Sequence, residues 1–146
     1  MGYNTLEKIK KLRVNESTLI SLTDDTDLGV VDTETVDGVI TAGDATIDSY
    51  LRGRLLLPLN PVPSLIPELA LDIYAYSLYS LKPQFEMPKT ISDRYTAAIA
   101  TLKLIQKGDV KLGVAEIETP SAPDTAFGME AKPSVAMFSD DCLEKY

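Results

Sequence analysis

The segment from Leu65 to Leu81, LIPELALDIYAYSLYSL, constrains this chain more than any other stretch. Its only charges are Glu68 and Asp72, it is apolar nearly all round, and two stripes recur at helical spacing. Ile66, Leu69, Ala70, Ile73 and Ser77 make one stripe; Leu71, Tyr74, Leu78 and Leu81 make the other. A helix apolar on two faces must be covered on both, either at the centre of a bundle or by a second subunit. Ser64 and Pro67 mark its start, because proline is tolerated in a first turn whose amides have no intrahelical acceptor. Leu71, Tyr74 and Leu78 are therefore candidate oligomer or partner contacts, with burial in the chain's own core as the commoner fate of such residues. Tyr74, Tyr76 and Tyr79 add rings that tolerate half-wet contacts.

The preceding stretch, LLLPLNPVPS over residues 55–64, holds three prolines and cannot be helical. Its leucines predict an extended connection pressed against the core. Upstream, Asp32 is a natural N-cap and Glu34 suits the positive end of a helix dipole. Val36, Val39, Ile40, Gly43, Ile47, Tyr50 and Leu51 then recur at intervals of three and four, predicting a long amphipathic helix that ends near Gly53. Gly43 lies on the apolar stripe, which predicts the close approach of a neighbouring helix; Gly38 lies off it.

Downstream, KPQFEMPK breaks the chain, and residues 89–107 read as a final helix. Ile91, Tyr95, Ala98, Ile99, Leu102 and Ile105 face inward there, and Gly108 stops it. Two short helices come first. Residues 4–13 carry Leu6, Ile9 and Leu12; the next is capped by Asn15 and carries Leu19 and Leu22.

From Asp109 the texture changes. VKLGV, residues 110–114, alternates like a short strand, and SVAMFS, residues 134–139, reads as another. Pro120, Pro123 and Pro133 punctuate the polar chain around and between them. The expected fold is mainly α: a bundle of about five helices with a small β element and an extended C-terminal arm. Residues 1–108 are expected to form the helical domain, and 109–146 the short strands and an arm that is either disordered or ordered by a partner, for example by strand addition.

Composition narrows the chemistry. The 146 residues include no histidine and one cysteine, Cys142. Histidine-dependent triads, the usual zinc sites and an intrachain disulfide are all excluded by that count. The formal net charge of −8 argues against a sequence-specific nucleic-acid binder, which needs clustered Lys and Arg. No apolar run approaches the ~20 residues that cross a bilayer. The N-terminus lacks a secretory h-region, and Leu6 occupies the Ser/Thr position of a myristoylation start. A cytoplasmic, unanchored, non-enzymatic protein without cofactors is expected.

LTDDTDLGVVD, residues 22–32, raises the question of calcium. In the EF-hand register starting at Asp24, Gly29 takes the turn position, but Leu28 and Thr35 stand where ligand oxygens are needed. In the register starting at Asp25, Gly29 and Val36 fail in the same way. An acidic turn is expected, and no metal site. Asp44 and Asp48, one helical turn apart, are expected on a solvated face, and Asp48 with Arg54 as a local ion pair closing the helix.

The segment IDSYLRGRLLLPLNPVPSLI, residues 47–66, resembles a family of small head–tail junction proteins from Mu-like phages. The family text D-S-Y-L-x-G-R is matched by Asp48, Ser49, Tyr50, Leu51, Gly53 and Arg54. Its L-P-L-x-x-V-P is matched by Pro58, Leu59, Val62 and Pro63. ELALDIYAYSL, RYTAAIATL and the ending MFSDDCLEKY are also similar to family sequences, with Asp140 in place of the usual arginine and Lys145 in place of glycine. The resemblance implies a structural virion protein, a head–tail adaptor whose homo-oligomeric ring of about twelve copies sits between portal and tail. Asp48, Tyr50, Gly53, Arg54, Pro58 and Pro63 become structural motif residues, and Phe138 and Tyr146 candidate partner contacts. The implied partners are the portal and a tail or tail-terminator protein. The implied locations are the host cytoplasm during assembly and the virion head–tail junction. An acidic ring lumen is expected to let DNA slide. A tail-completion or terminator protein is the nearest alternative. A small acidic helical regulator is the alternative from another class.

Overall fold

The computed structural model describes residues 2–117, and the architecture over that range is mainly α. Five helices follow in order: α1 (Leu6–Leu12), α2 (Glu16–Thr23), α3 (Thr33–Leu51), α4 (Leu65–Ser80) and α5 (Lys89–Lys107). Helix α4 is the centre of the bundle and touches each of the other four. That settles the choice its two apolar stripes left open. Ile66, Leu69, Ala70 and Ile73 are buried, and so are Leu71, Tyr74 and Leu78 on the other stripe. The last three are the candidate partner contacts for which burial in the chain's own core is the commoner fate. Their exposure is 1% or less, so the chain's own helices already cover them. Leu81, past the end of α4, is 42% exposed.

The caps follow the local chemistry. The Asn15 side chain accepts from the Thr18 amide, and Asp32 accepts from the amides of Glu34 and Thr35. Gly108 ends α5 at φ +93, a left-handed conformation that costs glycine little. Between α2 and α3, the Asp24 carboxylate accepts from the Thr26 and Gly29 amides, and Lys82 reaches across from beyond α4 to Asp25 at 2.9 Å. Asp24, Asp32 and Asp25 are thus committed to turn, cap and ion pair respectively. Among the described residues, no three of the acidic, cysteine or histidine side chains gather around one point.

Two local expectations change. Leu12 is 46% exposed, because α1 ends there and Val14, 2% exposed, takes the buried place beyond the turn. Residues 110–114 form no strand. Val110, Leu112 and Val114 instead lie half-buried along the helices, and the described β element is a single antiparallel bridge, Leu55 opposite Glu116. Leu56 N donates to Ala115 O at 3.3 Å and Ile117 N to Arg54 O at 2.7 Å. The SVAMFS stretch lies outside the described residues.

The connection between α3 and α4 is folded onto the bundle, as its leucines predicted. Leu55 and Leu59 are buried, while Leu56 and Val62 are exposed. The Leu57–Pro58 and Asn60–Pro61 peptide bonds are cis.

Candidate functional site

The family motif forms the corner where α3 ends, the proline-rich connection turns, and α4 begins. Three groups of polar contacts hold this corner together.

The first joins α3, α4 and the N-terminal strap. Gly43 lets α4 approach α3 closely enough that a Cβ at this position would lie 2.6 Å from the Tyr74 ring. The ring therefore lies against the α3 backbone, and its hydroxyl donates to the neighbouring Asp44 carboxylate. Asp44 also accepts from the Tyr3 amide at 3.3 Å. Burial pushes the Asp44 carboxyl above the usual range, against the hydrogen bonds from Tyr74 and Tyr3 that favour its ionised form. Burial pushes the Tyr74 hydroxyl up as well, reinforced by Asp44, so it remains a donor at any ordinary pH. Asp44 is 9% exposed, so the solvated face expected for it is in fact a polar seam between helices.

The second group lies one turn further along α3. Tyr3 donates its hydroxyl to Asp48, and burial with that carboxylate raises the Tyr3 pKa. Asn4, also buried, donates its side-chain amide to the Pro67 carbonyl in the first turn of α4. The strap thus stitches the end of α3 to the start of α4.

The third group sets the direction in which the chain leaves. Arg54 was expected to pair with Asp48; it pairs instead with Glu116 at 2.9 Å. Its guanidinium lies over Gly108, where a Cβ would meet it at 2.5 Å. Arg54 so clamps the end of α5 and the strand residue Glu116 to the end of α3. Asp48 accepts from the Tyr3 hydroxyl instead.

The other motif residues are structural in simpler ways. Tyr50 is half-buried against the core, and Pro63 offers its carbonyl to Ile66 N as α4 begins. Gly53 has open space where a Cβ would stand, and nothing in the structure explains the glycine. Pro58 is exposed and lines a cleft of about 520 Å³ with Gly2, Tyr3, Asp48, Arg52, Leu57, Leu59, Val62 and Pro67. Phe138 and Tyr146 lie outside the described residues.

Tyr3, Asn4, Arg52 and Glu116 carry much of this corner and were not singled out from the sequence, and Pro67 was read only as a helix start. Only Gly43 signalled any of it, by placing a gap on an apolar stripe. Chemically, the arrangement positions chain segments. The two carboxylates that could serve acid–base work are each held by a tyrosine hydroxyl. Among the described residues no helix is long and apolar enough to cross a membrane.

No curated protein matches the chain. A family model described as "Bacteriophage Mu, Gp36" matches residues 3–130, which takes in the strap, all five helices, the proline-rich corner and the bridge. The chain therefore belongs to the Bacteriophage Mu Gp36 family, a family of Mu-like phage proteins.

Proposed function

We propose that this protein is a virion structural protein, a head–tail adaptor of which about twelve copies close a ring between portal and tail. The observation that carries the reading is the family match over residues 3–130, centred on a motif whose polar groups serve packing and chain direction. In this reading Asp48 and Arg54 orient the strap and the departing chain. The partners are the portal on one face and a tail or tail-terminator protein on the other. The role is non-enzymatic, cofactor-free and independent of nucleic-acid sequence or membrane. The protein acts from the host cytoplasm and ends at the head–tail junction. A formal charge of −8 suits a lumen through which DNA passes without sticking.

The test adds the purified protein to tailless, DNA-filled heads and images them by electron microscopy, with protein alone as control. A ring at the portal vertex only when protein is added supports the adaptor. Bare vertices, with density on isolated tail tubes, would assign the tail-terminator role instead. Bare vertices with a protein that stays monomeric would favour the regulator.

A further inference from the structure

The cleft at the corner joins an apolar wall to a cation, Arg52, at its rim. Leu57, Pro58, Leu59, Val62 and Pro67 supply the wall. Val62 is 45% exposed, so the apolar wall opens to solvent. Contiguous apolar surface beside a concavity marks a place where another chain segment lies. Of the two charges lining it, Asp48 is occupied by the Tyr3 hydroxyl. The guanidinium of Arg52 is exposed and makes no ion pair among the described residues. An occupant with an apolar stretch followed by carboxylates would satisfy both features.

The chain itself carries such a segment. Residues 134–139, SVAMFS, are uncharged, and Asp140 and Asp141 follow immediately. Its other apolar stretch, Ala126 to Met129, is interrupted by Gly128 and flanked by Asp124 and Glu130 on both sides. The described chain ends beside the cleft. Ile117 N is bonded to Arg54 O, and Arg54 lies two residues from Arg52 and three from Leu57, both cleft residues. From Ile117 the link to Ser134 spans up to roughly 55 Å when extended, about twice the length of α3, so the cleft is within easy reach.

We infer that the cleft is the seat of this chain's own segment 134–141, with Val135, Met137 and Phe138 against the wall of Leu57, Leu59 and Val62, and Asp140 or Asp141 on Arg52. Tethering close to the seat makes docking intramolecular, at an effective concentration on the order of millimolar. The inference stands independently of the adaptor reading.

Cys142, the single cysteine, provides the probe in the unmodified full-length protein. A nitroxide attached there should broaden the NMR amide signals of Leu57, Leu59 and Val62. Leu28 and Val30, beyond the opposite end of α3 at about 27 Å, should stay sharp. Phe138→Ala and Arg52→Glu should each lower occupancy about tenfold and restore the cleft signals, while the signals of α1 to α5 stay in place and report an intact fold. Equal sharpness at both ends of α3 in the labelled wild type would overturn the inference. So would cleft broadening that both substitutions leave unchanged. A mixture of spin-labelled protein with isotope-enriched, unlabelled copies separates a second occupant. Cleft broadening in that mixture assigns the seat to a neighbouring copy's segment and overturns the own-chain assignment.

Discussion

Replacing Gly43 by alanine should destabilise the protein, although alanine is the better helix former. In an open helix interior the exchange gains about 1 kcal/mol. Here the new Cβ would stand 2.6 Å from two ring carbons of Tyr74 and 3.5 Å from the Ile73 side chain. The ring has nowhere to go. Tyr74 is 0% exposed, packed at the centre of the bundle and tied through its hydroxyl to Asp44. Overpacking of this kind costs about 1–3 kcal/mol, and a displaced hydroxyl forfeits a hydrogen bond to a charged group, about 1.5–3 kcal/mol more. Set against the propensity gain, the net loss is about 1.5–5 kcal/mol. For a domain of this size that lowers Tm by roughly 6–20 °C. Gly38 is the internal control. It lies in the same helix with nothing within 4 Å of a built Cβ, so Gly38→Ala should raise Tm by about 4 °C. Thermal and urea unfolding of both variants measure the two signs. Repeating Gly43→Ala in a Tyr74→Leu background should abolish most of its penalty, since the clashing ring is gone. Two alanine variants that stabilise equally would refute the reasoning, because the helix contact would then be loose enough to absorb a methyl.

Other consequences concern the polar seam and the clamp. Tyr74→Phe leaves the buried Asp44 with one partner fewer and should cost about 2 kcal/mol in urea unfolding; a loss under a few tenths would mean that the hydroxyl contact is not maintained. The raised Asp44 pKa means that the folded state holds this proton more tightly than the unfolded one. Wild type should therefore gain stability relative to Asp44→Asn as pH falls from 7 towards about 4; Tm values across that range would contradict this if the difference were flat or reversed. Asp32 behaves in the opposite sense. The Thr35 hydroxyl and amide hold its carboxyl below the usual range, so the Tm deficit of Asp32→Ala should be full at neutral pH and disappear in acid. Arg54→Ala breaks a partly exposed pair and should lower global stability by no more than about 1 kcal/mol, yet speed amide exchange at Ile117, whose hydrogen bond to Arg54 O then lacks its side-chain clamp.

What the sequence determined by itself is local or periodic. The spacing of apolar residues set the helices, and α5 falls on the expected residues 89–107. Asn15, Asp32 and Gly108 act as caps because capping depends on atoms within a few residues. The doubly apolar α4 required a cover on two sides, and Gly43 required a close neighbour. The motif text placed the chain among Mu-like phage proteins. Tertiary structure alone decided which partner each of these features met. Nothing local distinguishes Asp48 paired with Arg54, six residues away, from Asp48 holding the hydroxyl of Tyr3, 45 residues away. Nor could spacing show that Arg54 would find Glu116, or that Asp44 would sit in a helix interface. The cover over Leu71, Tyr74 and Leu78 is likewise supplied by the packed bundle, because an apolar face records its need for burial and carries no mark of which surface will meet it.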